Sequence, residues 1–252
     1  MKSFYEMCRL VEQEEPQAQD LREPEMRSDA AIERDYDDRK KLFVLVGPPA
    51  IGKTTWIERN APEAFVINRD DIVNQVSGSL GLTYDDMFAS PSQDLEIGHQ
   101  DPKYGEVIEK PDYLPDFLPD KLWSKVTDAN GQVFEKLNQR FAGAGQADKD
   151  VVVDMTNMDA DNRKMAFDAI GPTDHKKIAV VFNFQGSDVQ KALMKLSQKR
   201  AKEIKAQGGS KTIPESAFQN MFAAYEPPTA AEGFKEIIPI DDRQRILQAL
   251  KD

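Results

Sequence analysis

Residues 42–55 read LFVLVGPPAIGKTT, and few stretches of this length restrict a fold so tightly. Leu42, Phe43, Val44, Leu45 and Val46 form a short apolar run, as expected of a strand buried on both faces. Residues 47–54, directly after it, satisfy G-x-x-x-x-G-K-[ST] without a mismatch. A nucleotide's phosphates must be wrapped by backbone N–H groups, and Gly47 and Gly52 permit the tight backbone path. Pro48 and Ala50 lie on that path, and Thr55 carries it into a helix. Lys53 supplies a cation to the β- and γ-phosphates, and the Thr54 hydroxyl can ligate Mg²⁺. A helix starting near Lys53 turns its positive N-terminus toward the anion. ATP and Mg²⁺ are therefore the expected cofactors. The alternative is a chance match in a strand–turn–helix, and the strand ahead of the motif argues against it.

A chain of 252 residues suffices for one large α/β domain with an appendage. The single cysteine, Cys8, excludes a disulfide framework and fits a reducing compartment. No apolar run approaches the length of a membrane span, and the N-terminus lacks a signal-peptide h-region. A cytoplasmic protein is expected. The net charge is −11, and residues 1–38 hold twelve acids against five bases, which leaves −4 for the rest. Such a chain has no broad electrostatic grip on nucleic acid. A nucleic-acid partner would have to be held locally, at a cleft.

Residues 1–39 read as an acidic, partly disordered arm, and residues 40–252 as the folded domain. Within the arm, Phe4, Met7, Leu10 and Val11 share one helical face, so residues 1–11 form either a short amphipathic helix or a weakly ordered terminus. Strands are expected at 64–67, 151–153, 178–184 and 237–240 in addition to the first. Helices are expected from 53, from 70 to about 76, at 121–141, at 161–170, from Ser187 as cap to about 205, after Pro214 to about 225, and at the C-terminus. Residues 77–120 contain five prolines and no clear period, and read as an inserted acceptor-side segment. Alternating strands and helices imply a parallel five-stranded sheet covered on both faces. His99 and His175 read as ordinary surface residues.

Ligands of such sheets sit beyond the carboxyl ends of the strands. The second strand ends at Asn68-Arg69-Asp70-Asp71 and the third at Asp154-Met155-Thr156-Asn157. Phosphoryl transfer needs positioning, a metal, charge neutralisation and a group that orients or deprotonates the acceptor. Asp70 is expected to be that base and Asp71 to cap the helix that follows. Asp154 ends a buried strand, a suitable place to order Mg²⁺ together with Thr54. Arg69 is a candidate for touching the acceptor, and Thr156 and Asn157 could either hold the loop or touch the acceptor. Residues 191–211 hold seven bases and one acid, against the sign of the chain, and end in a glycine-rich loop. Residues 187–212 thus read as a helical lid, with Arg200 brought to the transferring phosphate because a guanidinium matches its oxygens bidentately.

Together these residues resemble the 5′-kinase domain of polynucleotide kinases, within the wider group of small P-loop kinases that includes zeta toxins. The resemblance spans residues 42–240, apart from much of 77–130. It rests on 47–55, on Asn68-Arg69-Asp70, on Asp154-x-Thr156-Asn157 with Arg163 following, on Thr212-Ile213-Pro214, and on the string YEPPTAAEGF at 225–234. It implies a P-loop kinase fold, with Asp70 as general base, Lys53 on the phosphates, Arg200 as lid arginine and Arg163 near the acceptor. Phage-type members carry an arginine shortly after the base; here that position is Val73, and a second lid arginine is missing, with only Lys205 and Lys211 near the glycine-rich loop. The implied activity is ATP-dependent phosphorylation of a polynucleotide 5′-hydroxyl, in a phage-encoded protein working in its host's cytoplasm. Three alternatives stay open: a kinase for a hydroxymethylated pyrimidine such as 5-hydroxymethyluracil in DNA, a kinase for a nucleotide sugar or other small metabolite, and a non-enzymatic, nucleotide-gated binding module.

Overall fold

A computed structural model describes residues 39–88 and 120–249. The readings made on residues 1–38 and on 89–119 lie outside these. Five strands form one parallel sheet: β1 (Lys41–Val46), β2 (Phe65–Asn68), β3 (Val151–Asp154), β4 (Lys176–Phe182) and β5 (Glu236–Ile240). Their order is β2-β3-β1-β4-β5, which puts the strand leading into the phosphate loop at the centre. Leu42, Phe43 and Val44 pair with Val151, Val152 and Val153 on one side and with Lys177, Ile178 and Ala179 on the other.

Side chains alternate across a strand, so each strand feeds two layers. Phe43, Leu45, Val152, Ile178, Val180 and Phe182 face one way. They pack on α1 (Lys53–Asn60) through Ile57, α5 (Ser187–Ala206) through Leu193, α6 (Glu215–Ala223) through Phe218, and α7 (Arg243–Gln248) through Ile246. Leu42, Val44, Val46, Val151, Val153 and Val181 face the other way, against Phe141 of α3 (Asp120–Gly145) and Ala166 and Ile170 of α4 (Ala160–Ile170). Burial on both faces explains why these strands read as continuous apolar runs. The expected P-loop kinase fold, a parallel five-stranded sheet with helices on both faces, is the observed one.

Several local expectations are corrected. The helix after β2, α2 (Arg69–Ser79), runs a turn beyond 76, and its N-cap is Asn68, whose side chain accepts from the Asp71 N–H. Asp71 therefore does not cap. Gly186, not Ser187, occupies the N-cap position of α5 and offers no side-chain bond. His175 is half-buried, and its ring bonds Thr173 and the Lys149 carbonyl. Residues 77–88 are part of the packed domain: Leu82, Tyr84 and Met87 are buried in a third cluster with Val73 and Val76 of α2 and Val126, Ala129 and Val133 of α3. A short 3-10 turn, Asp85–Phe88, ends this segment.

Candidate active site

Parallel strands deliver their carboxyl ends to one edge of the sheet, and the polar residues picked out by sequence meet there. Behind β1 the phosphate loop makes two conformational demands. Gly52 has φ 109°, and a Cβ on it would lie 2.3 Å from the Arg245 guanidinium. Gly47 approaches Ile51 and Phe182, each 3.2 Å from the site a Cβ would take. Ala50 also holds a positive φ of 64°. Such left-handed positions turn successive N–H groups inward, as a phosphate cradle requires. Pro48 is buried, Thr55 half-buried, and Thr54 exposed on the first turn of α1.

The half-buried Lys53 donates its Nζ hydrogens to the Gly47 and Pro48 carbonyls at 2.8 and 3.0 Å. Burial pushes its pKa down to about 8, against the opposing pull of Asp154 and Asp70. Lys53 is thus a cation short of partners of full negative charge. Asp154 closes β3 in register with Asn68, whose Nδ2 donates to Asp154 Oδ2 at 2.9 Å. Burial, the largest influence, raises the Asp154 pKa, and Asp70 and Asp71 add to this while Lys53 opposes it.

Asp70, in the first turn of α2, has more side-chain partners than Asp154 among the described contacts. Tyr84 donates its hydroxyl to Oδ1 at 2.7 Å, and Lys211 places Nζ 2.5 Å from Oδ2. Burial would raise its pKa, but the Lys211 charge and these hydrogen bonds, helped by Lys53, hold it below the ordinary carboxylate value. The same surroundings push the Tyr84 phenol up, through burial and the neighbouring Asp70 charge. Arg69 is exposed, with its guanidinium 5.5 Å from the centre of the Phe88 ring, and Tyr84 meets Phe88 at 5.0 Å.

Other expected residues are placed differently. Asn157 is buried, with φ 48°, and its Nδ2 donates to the Leu45 carbonyl at 2.8 Å. The half-buried Thr156 accepts the Gly47 N–H at 3.0 Å through its backbone carbonyl. Both brace the entry to the phosphate loop. Arg163 has no solvent exposure; its guanidinium bonds both Glu232 oxygens at 2.7 and 3.0 Å and the Asn157 and Glu226 carbonyls, each at 3.0 Å. Arg163 and the Asn157 amide N–H groups thus fall on scaffold positions, because these donors are already used inside the protein, while Asn157 Oδ1 is buried with no hydrogen-bond partner. Arg200 is exposed near the end of α5, and none of the contacts described at Lys53, Asp70 or Asp154 comes from it.

Tyr84 was given no role from sequence, Asn68 entered only within the Asn68-Arg69-Asp70 string, and Lys211 only as a lysine near the glycine-rich loop. Lys211 is one of seven bases in its segment, and its pairing with a residue 141 positions away leaves no local signature. Among the described residues no group of three or more His, Cys, Asp or Glu side chains could cage a metal. Mg²⁺ does not require such a cage, since it binds through one or two protein oxygens and substrate phosphates. The Thr54 hydroxyl and the Asp154 carboxylate, whose buried charge calls for a counter-ion, fit that donor set. Among the described residues no helix is long and apolar enough to cross a membrane.

No curated protein matches the chain. Among solved structures it is similar to a protein of Chloroflexus aurantiacus J-10-fl named only provisionally as a kinase, at 14% identity and TM-score 0.45, over 84% of this chain and 94% of that one. It is also similar to a gluconokinase from Sinorhizobium meliloti 1021, at 14% identity and TM-score 0.31, over 83% and 89%. A family profile described as an AAA domain matches residues 42–228, which include the phosphate loop, both strand-end carboxylates and the loop bearing Lys211. With a kinase-like P-loop sheet and a family match over most of its length, this chain belongs to the AAA domain family.

Proposed function

We propose that the protein is an ATP-dependent kinase that transfers the γ-phosphoryl group to a hydroxyl of a nucleic acid, with a polynucleotide 5′-hydroxyl as acceptor. The observation that carries this reading is that Asp70, in the first turn of α2 directly after β2, and Lys53, in the phosphate loop after β1, both lie beyond the carboxyl ends of strands of one parallel sheet. A base and a phosphate-binding cation at one sheet edge are what in-line transfer to an alcohol needs.

In this reading Lys53 leaves its carbonyl partners for the β- and γ-phosphates. Asp70 accepts the proton of the acceptor hydroxyl as its oxygen bonds to the γ-phosphorus. The bond from that phosphorus to the β–γ bridging oxygen breaks, and ADP departs with the electron pair. A bound Mg²⁺, held by Thr54 and Asp154, supplies neutralisation of the phosphate charge. The exposed Phe88 ring with Arg69 over it, adjoining Tyr84, supports a base-bearing acceptor, because bases stack on aromatic and guanidinium planes. Residues 187–212 act as the lid, although the described contacts to Asp70 come from Lys211 rather than Arg200.

The test is γ-labelled ATP offered with 5′-hydroxyl DNA, 5′-hydroxyl RNA, hydroxymethyluracil DNA, nucleosides and gluconate. Label on the 5′-hydroxyl strands, lost in Lys53→Ala, is expected. Label on gluconate or nucleosides alone would replace the acceptor class, and ATP hydrolysis with no labelled acceptor would favour a nucleotide-gated binding module.

A further inference from the structure

The loop between α5 and α6 carries a cation into the candidate site, and its anchorage goes beyond a surface charge run. Asp85 bonds both residues that flank Lys211. Its carboxylate accepts the Thr212 N–H at 2.8 Å and the Thr212 hydroxyl at 3.1 Å, and its own N–H donates to Ser210 Oγ at 3.1 Å. With both neighbours fixed, Lys211 reaches Asp70 across a 5.1 Å contact with the Tyr84 ring. Tyr84, the residue before Asp85, holds the other Asp70 oxygen. One dipeptide, Tyr84-Asp85, thus fixes both the carboxylate and the loop that delivers its counter-ion.

We propose that Lys211 is a positioning residue for Asp70: latched through Asp85, it keeps the carboxylate ionised and in one orientation for the incoming hydroxyl. This rests on the reading of Asp70 as the base. A carboxylate has about four lone-pair sites, so a phenol on one oxygen and an ammonium on the other leave room for a hydroxyl while stopping rotation. The groups bearing on Asp70 are Lys211 and Tyr84 in direct contact and Lys53 from the phosphate loop, while Asp70 itself acts on Asp154 of β3. Arg69 and Asp85 act on Tyr84. Of the cations, only Lys211 touches the carboxylate among the described contacts, so its removal should leave burial to oppose ionisation.

The experiment is a carbon-13 NMR titration of full-length protein labelled at aspartate carboxyls, with the Asp70 signal identified by its loss in Asp70→Asn. In the wild type it should titrate below the ordinary value of about 4. Lys211→Met should raise the midpoint by about one pH unit or more, and Lys211→Arg should restore most of the difference. Asp85→Ala keeps the lysine but frees the loop, and should move the midpoint the same way by less. With a 5′-hydroxyl oligonucleotide and labelled ATP, the acid limb of kcat/KM should shift by the same amount as the NMR midpoint. An unmoved midpoint in Lys211→Met, or a moved midpoint with an unmoved acid limb, overturns the positioning role. Normal turnover by Asp70→Asn would instead overturn the reading of Asp70 as base, whatever the NMR midpoint does.

Discussion

A carboxylate serves as a base at neutral pH only if it is ionised and free to meet a proton, and two adjacent aspartates have different partners here. Asp70 has its charge held by Lys211. The Asp71 backbone N–H is bonded to Asn68, so this residue contributes chiefly a negative charge in the first turn of α2. Asp70→Asn should lower kcat by about 10²–10⁴-fold with ATP affinity almost unchanged, measured by steady-state kinetics and nucleotide titration. Asp71→Asn should keep turnover and lose only about 0.3–1 kcal/mol, from the helix-dipole interaction, in a thermal melt. The Lys211 pair also has a pH signature in stability. The folded pKa of Asp70 lies below its unfolded one, so the pair stabilises above the unfolded value of about 4 and ceases to do so as pH falls through the folded value. Its side chains are 26% and 43% exposed, so solvent screening keeps this within about 1 kcal/mol. Melts of wild type and Lys211→Met should differ at pH 7 and converge on acidification.

Elements differed in how far sequence exposed them. The strands were legible because burial on both faces gives unbroken apolar runs, and the phosphate loop because its geometry demands glycine at fixed spacing. Asp70 and Asp154 were legible as polar endings of such runs. Residues 77–88 were not, since Leu82, Tyr84 and Met87 are buried by contacts with α2 and α3 rather than by a period of their own. Arg200 was chosen over Lys211 on side-chain chemistry, whereas the pairing depends on a loop pinned by Asp85, far away in sequence. Arg163 marks the opposite error: a cation near a site, yet sealed in the scaffold. Truncating it strands Glu232, only 18% exposed, without its partner. Arg163→Ala should therefore cost about 3–5 kcal/mol. Chemical denaturation should show a smaller loss when Arg163→Met is combined with Glu232→Leu.

At the scale of the molecule, the sheet and its helices close three apolar clusters from residues between Leu42 and Leu247. Residues 1–38 carry −7 of the net −11. A chain beginning at Arg39 should bind a polyanionic acceptor more tightly, since loss of a net −7 weakens long-range repulsion and salt screens that repulsion. KM for a 5′-hydroxyl oligonucleotide, measured at low and high salt, should fall on truncation chiefly at low salt.

The Arg163 bonds bear on what kinship can tell. Glu226 and Glu232, which receive that guanidinium, both lie in the string at 225–234, and Thr229 with Glu232 closes a capping box beside them. The string at 225–234 is therefore the part of the chain that fastens β3 and α4 to the loop before β5. Its role seen here is to assemble the domain. It is silent about the molecule the site phosphorylates, and that information has to be sought among Arg69, Tyr84, Phe88 and Lys211.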